Sequence, residues 1–249
     1  MNAARAVVVI PTYNERENAE LIIRAVMGLP SGFDVLIVDD NSPDKTADVV
    51  KGLLEEFGGR LFLEERPGKQ GLGTAYIHGF RWALARDYAF IFEMDADFSH
   101  NPLDLERLLA ACLGTDARPG ADVAIGSRYS NGVNVVNWPM SRVLMSYFAS
   151  MYVRMITGMP VHDTTAGFKC YRADVLRTIP LDHIRFVGYA FQIEMKFLAW
   201  CYGFRIEEVP IVFTDRTRGQ SKMSKGIFKE AVVGVVQMKV DSLFRSFTR

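Results

Sequence analysis

The sequence predicts an α/β fold built on a mostly parallel, doubly wound sheet with helices on both faces, and three observations predict it. Short, nearly continuous apolar runs recur along the chain, as strands buried on both faces of a sheet require. Stretches with helical periodicity alternate with them, which is the order of right-handed crossover units. The polar residues with chemical potential follow directly on the apolar runs, where the carboxyl ends of parallel strands would form a ligand-binding edge.

Taken in order, the apolar run at residues 6–10 leads into PTYNE and a periodic stretch over 17–27. The run 35–38 leads into DDNSPD and a helix over 46–57, and the run 61–63 into ERPGKQG and a helix over 74–85. The run 90–92 precedes DADFS and a helix over 103–112, and the run 123–125 precedes GSR. Beyond Arg142 the pattern changes to a long apolar helix over 143–157, a short FKCYR strand, a helix over 189–201 and a strand ending in VPIVF. No linker, low-complexity tract or internal repeat divides the chain. It therefore reads as one domain over 1–215, with 216–249 as a basic loop and C-terminal helical extension of that domain.

With 249 residues and 49% hydrophobic content the chain can bury a substantial core. Its 29 basic and 29 acidic residues cancel, so net charge gives no support for a nucleic-acid partner. Cys112, Cys170 and Cys201 are odd in number, far apart and without zinc spacing, which points to reduced thiols in a cytoplasmic compartment. The apolar run before Pro11 is too short for a signal peptide. A spanning helix needs roughly 20 apolar residues, and the best runs, 143–153 and 231–240, are interrupted by Arg154 and Lys239. Lying on a membrane surface stays open.

Asp95 and Asp97 end the run in MDADFSH. A turn or cap role before Asn101 and Pro102 accounts for one of these carboxylates, not two. In extended backbone, side chains two apart share a direction. Two ionised carboxylates there raise each other's pKa unless a cation or donors offset the repulsion, and a divalent metal does so directly. In VDDNSPDKT, Ser42 and Pro43 read as a helix start, while Asp40 at the strand end can accept hydrogen bonds from a base or ribose. PGKQGLGTA is not a Walker loop, because Lys69 follows the first glycine, and no GxGxxG follows the first strand, which argues against a dinucleotide oxidoreductase. Arg128, Arg216 and Lys222 are either solvated loop charges or partners for phosphate oxygens. His78, His100, His162 and His183 lack i, i+4 zinc spacing and read as structural or surface residues. In VLMSYFASMYVRM, Val143, Tyr147 and Met151 form one stripe, with Leu144, Phe148 and Met155 beside it, suited to core packing or to lipid.

In this order PTYNE, VDDNSPDKT, GLGTAYIHG, MDADFSH, GSRY, the GYAFQIEMKF helix and DRTRGQSKM resemble the dolichol-phosphate mannose synthases, inverting glycosyltransferases of family two with the GT-A fold. The likeness covers nearly the whole chain. It implies GDP-mannose as donor, a polyprenyl or dolichyl phosphate as acceptor and Mg²⁺ or Mn²⁺ as cofactor. Carried over by position, Pro11, Tyr13, Glu15, Val38 and Asp40 would hold the guanosine, and Asp95, Ala96 and Asp97 would form the DXD motif at the diphosphate and metal. Arg128, Arg216 and Lys222 would surround the donor diphosphate and acceptor phosphate. Ser99 stands where some relatives carry a metal-touching glutamine. The transmembrane helices that some relatives append are absent from the sequence, so attachment is expected to be peripheral, on the cytoplasmic face, through the helix over 143–155 and the basic C-terminal segment. A transferase using a UDP-sugar and a non-catalytic nucleotide-sugar binding module are the alternatives.

Overall fold

The computed structural model describes residues 5–216 and 225–248, with side chains described there except for Tyr189 and residues 225–231. The first half alternates as expected: β1 (Ala6–Thr12), α1 (Arg16–Met27), β2 (Asp34–Asp39), α2 (Thr46–Leu53), β3 (Leu61–Glu65), α3 (Leu72–Leu84), β4 (Phe90–Glu93) and α4 (Asp104–Leu113). Then come β5 (Gly114–Thr115), β6 (Arg118–Pro119), β7 (Val123–Ser127), β8 (Val135–Val136) and α5 (Met140–Thr157). The rest comprises β9 (Lys169–Arg172), α6 (Ala173–Thr178), α7 (Tyr189–Cys201), β10 (Ile206–Pro210), β11 (Phe213–Thr214) and α8 (Lys225–Ser242).

Seven strands form the central sheet in the order β10-β7-β9-β4-β1-β2-β3. All neighbours are parallel except β9, which runs antiparallel between β4 and β7. Period-two geometry divides β1 between the layers: Val7 and Val9 enter the core under α3 and α7, Val8 and Ile10 the core under α1 and α4. Both layers bury β2 completely and β1 everywhere but at Pro11, which is why these strands read as unbroken apolar runs.

Glycines set how closely two helices approach. A Cβ at Gly79 would stand 2.4 Å from Val9 Cγ1, so α3 lies directly on β1. At Gly73 it would meet the Phe191 ring at 2.8 Å, and Gly73 N donates to Val187 O at 2.9 Å. The start of α3 is thereby pinned to the start of α7.

Several boundaries differ from the sequence reading. β1 runs on through Pro11 and Thr12, and α2 stops at Leu53 before a turn in which Gly58 and Gly59 both take positive φ. α4 begins at Asp104, with Asn101 Oδ1 accepting from Leu103 N at 3.1 Å. α8 packs on α5 and α7 through buried Val235 and Met238. Lys239 Nζ donates to Thr157 O at 3.2 Å, a cation at the negative end of α5. Among the described residues no helix is long and apolar enough to cross a membrane. All three cysteines are free thiols.

Candidate active site

Parallel register places the ends of β1, β2, β4 and β7 on one edge of the sheet, around a cavity of about 440 Å³. Pro11, Tyr13, Glu15, Asp40, Asp95, Ala96, Asp97, Arg128 and Arg216 all line it. Val38 does not: it is fully buried within β2. Lys222 lies outside the described residues.

At one end of the cavity the acidic run of β2 divides into separate duties. Asp39 accepts from Thr12 Oγ1 at 2.8 Å and from Ser42 N and Oγ at 2.8 and 2.6 Å, so it closes the turn. Asp44 accepts from Thr46 N at 3.0 Å and from Thr46 Oγ1 at 2.6 Å. Asp40 instead forms a buried pair with Arg66, Nε to Oδ1 at 2.6 Å, and still reaches the cavity wall. Arg66 Nη1 donates to Thr74 Oγ1 at 2.9 Å, which ties this pair to the start of α3. Lys69 sits 5.0 Å from the centre of the Tyr13 ring.

The Asp95/Asp97 pair is shaped by a turn, not by the extended backbone that the sequence suggested, because β4 ends at Glu93. Asp97 is already well supplied with partners. Its Oδ1 accepts from Ser99 N at 3.0 Å and Ser99 Oγ at 2.5 Å, and its Oδ2 pairs with Arg216 Nη2 at 2.9 Å. Among the described residues, Asp95 receives one hydrogen bond, from Tyr76 OH at 3.3 Å. It is partly open to the cavity, yet the surrounding protein strips most of its water. That desolvation, and then the charge of Asp97, push its pKa up to about 7, against weaker lowering by Tyr76 and Arg216.

This donor set suits a hard divalent cation. Both groups are carboxylates, and among the described residues no cluster of three or more His, Cys, Asp or Glu side chains can hold a metal. The protein thus offers an incomplete oxygen shell, the type that takes Mg²⁺ together with substrate phosphates.

Arg128 does not present the uncommitted fork that the sequence suggested. Its Nε and Nη2 bind the fully buried Asp163 at 2.7 and 2.6 Å, its backbone N donates to Asp163 at 2.9 Å, and Nη2 also donates to Thr165 Oγ1 at 2.7 Å. Burial alone would raise the Asp163 pKa, but Arg128 outweighs it and holds the carboxyl below its usual range. The charge of Arg128 is largely spent inside the wall.

The model described as Glycosyl transferase family 2 matches residues 7–179. The chain belongs to glycosyltransferase family 2. It is 46% identical over 233 residues to the polyprenol monophosphomannose synthase of Mycolicibacterium smegmatis, covering 94% of this chain and 86% of the relative. It is also 46% identical over 233 residues to the undecaprenyl-phosphate mannosyltransferase of Micrococcus luteus, covering 94% and 93% respectively. Its fold resembles that of glucosyl-3-phosphoglycerate synthase from Mycobacterium tuberculosis in complex with Mn²⁺, UDP and glucosyl-3-phosphoglycerate. The TM-score is 0.68 at 15% identity, over 98% of this chain and 81% of that one. The GT-A arrangement expected from the sequence is the one observed.

Three wall residues of this family-2 transferase, His100, Trp138 and Gln192, and Asp163 behind Arg128, were not singled out as site residues from sequence. His100, read as structural or surface, is buried on the wall between Phe168 and Phe213, with ring centroids at 4.8 and 5.2 Å. Burial lowers its pKa to about 4, so the ring is neutral near pH 7. Trp138 stacks beneath Arg142, whose guanidinium pairs with Asp215 at 2.9 Å. Asp163 sits in a polar run that sequence leaves ambiguous. The HDTT run following an apolar stretch was the available signal for Asp163; for Gln192, inside an apolar helix, a lone amide was the only one.

Proposed function

We propose that this transferase moves mannose from GDP-mannose to a polyprenyl or dolichyl monophosphate with inversion, giving a β-linked polyprenyl-phosphate mannose. The mannosyl and polyprenyl-phosphate parts follow from relatives at 46% identity over nearly the whole chain. The observation that carries the chemistry is the carboxylate pair at the sheet edge, where Asp95 is short of positive charge while Asp97 is shared with Arg216.

Asp95 and Asp97 would hold Mg²⁺ or Mn²⁺. When bound, the ion neutralises charge on the departing diphosphate. In the transfer an acceptor phosphate oxygen bonds to the anomeric carbon while the bond from that carbon to the donor diphosphate breaks, its electron pair leaving with GDP. No proton has to move, because a phosphate monoester with a second pKa of about 6 is already mostly ionised near neutrality. The chain therefore needs positioning and charge, not a base. Arg216 lies between Asp97 and the open cavity, suited to a phosphate oxygen, and Arg128 shapes that wall from its bond to Asp163. Lys222 takes the same cationic role by its family position. Pro11, Tyr13, Glu15 and Asp40 line the end assigned to guanosine, with Val38 behind them and Arg66 holding the Asp40 carboxylate in place.

The acceptor's tail stays in lipid, so the protein docks peripherally on the cytoplasmic face of a membrane. Exposed Leu144, Phe148, Met151 and Met155 on α5 and Val240, Leu243 and Phe244 at the end of α8 support this.

A UDP-sugar donor is the second reading, favoured by the UDP held in the M. tuberculosis enzyme of the same fold. Radiolabelled GDP-mannose and UDP-glucose, each incubated with polyprenyl phosphate, separate the two. Label entering the lipid extract from GDP-mannose alone is the expected result; label from UDP-glucose alone overturns the donor assignment.

A further inference from the structure

A buried polar network stands directly behind the cavity wall. Gln192, in the first turn of α7, is 3% exposed and lines the cavity beside Ala166, Gly167 and Gly188. Chemistry fixes which way its amide points. Lys169 Nζ can only donate, so the atom it meets is Oε1; Glu93 Oε2 accepts, so the atom 2.7 Å from it is Nε2. Glu93 and Lys169 are fully buried, face each other across the β4–β9 register and lie 3.2 Å apart. Tyr171 OH donates to the other Glu93 oxygen at 3.0 Å.

This scaffold commits one N–H of Gln192 and leaves the second without a protein partner among the described residues. Gly167 stands beside the amide on the same wall, where an added Cβ would make only an ordinary contact with Nε2 at 3.5 Å. Lys196 Nζ donates to Ala166 O at 2.6 Å, but burial pulls its pKa, like that of Lys169, below the usual lysine value, so the fixed side-chain cation on this wall is Arg128, paired with Asp163. The amino end of α7, whose N-cap Gly188 is also on the wall, adds its positive dipole.

We propose that Gln192 donates its second N–H to a phosphate oxygen of the acceptor, and that this neutral amide sets the preference for a phosphate over a hydroxyl acceptor. A carboxylate here would repel an acceptor that is already anionic, whereas a hydroxyl acceptor would need that carboxylate to take its proton. Throughout the transfer Gln192 keeps its protons and only the two bonds at the anomeric carbon change. This inference rests on the phosphate acceptor of the proposed function.

The test compares wild type with Gln192→Glu and Gln192→Leu, using polyprenyl phosphate as acceptor and GDP binding by calorimetry as the check on the folded donor site. A charge-assisted hydrogen bond lost and a repulsion gained should lower kcat/KM for the acceptor by about 100-fold or more in Gln192→Glu, and by about tenfold in Gln192→Leu. GDP affinity should change less than about threefold in both. Wild-type transfer to polyprenyl phosphate with undiminished Gln192→Glu kinetics overturns this inference alone. Losses of GDP affinity as large as the losses of acceptor kcat/KM also overturn it, since they mark a merely structural role. Wild-type protein that moves sugar to no phosphate monoester overturns the parent reading instead.

Discussion

Asp95 sits between Tyr76 and Asp97 at the end of β4, and burial followed by the charge of Asp97 keeps its carboxyl protonated up to about pH 7 in the ligand-free protein. A carboxyl whose folded pKa lies above its unfolded value near 3.9 binds more protons in the folded state across that interval. Its contribution to stability is therefore complete below about pH 4 and is lost as pH rises toward 7. His100 works with the opposite sign. Lowered to about 4, it is neutral when folded, and its contribution is lost as pH falls from 6.5. The difference between wild type and Asp95→Asn isolates the first effect. In chelator, the Tm of wild type should fall relative to the variant between pH 5 and 7.5; parallel curves would refute the shift. At this scale the acidic pair was legible in MDADFSH, because two carboxylates so close together raise an electrostatic question by themselves. The answer was not legible: Asp97 takes its partners from a local turn at Ser99 and from Arg216, far along the chain. The same holds for Arg128, whose counter-charge Asp163 is 35 residues away.

Among the elements, α5 departs most from ordinary packing. Eighteen residues long, it buries only Ser150, Val153 and Thr157, while Met140, Leu144, Phe148 and Met155 stand exposed. The periodic stripe was visible in the sequence, but not which face would be covered, since that depends on where α8 lands. Each large apolar side chain inserted into lipid is worth about 1.5–3 kcal/mol. Phe148→Glu combined with Met155→Glu should therefore cut flotation with anionic liposomes at least about tenfold. Transfer to a short, water-soluble polyprenyl phosphate should persist. Unchanged flotation would move the membrane face elsewhere. The parallel strands were legible as continuous apolar runs, and FKCYR as a strand, but the antiparallel slot of β9 between β4 and β7 was not, because strand order is a property of crossovers and not of composition. The two-residue pair β8 and β11 carries too little pattern to be read at all. It nevertheless matters, since Thr214 N bonds Ser99 O at 3.1 Å and sets Asp215 and Arg216 over the carboxylates.

At the scale of the whole molecule, alternating strands and helices were enough to foresee that PTYNE, DDNSPD, DADFS and GSR would meet, since parallel strands deliver their carboxyl ends to one edge. What that edge gathers is an excess of anions once a sugar nucleotide and a lipid phosphate enter beside Asp95 and Asp97. Arg216 is shared with Asp97 and Arg128 is held by Asp163, so the side chains described there leave the incoming diphosphate short of counter-charge. A divalent cation, as proposed for Asp95 and Asp97, would close that gap. The direct measurement is transfer of radiolabelled mannose from GDP-mannose into polyprenyl phosphate, with chelator, with Mg²⁺ or Mn²⁺ restored, and in a folded Asp97→Ala variant. Label should be lost under chelator, recover with either ion in wild type, and drop by about 100-fold or more without recovery in the variant. Label incorporation that chelator leaves unchanged would contradict the cation's role.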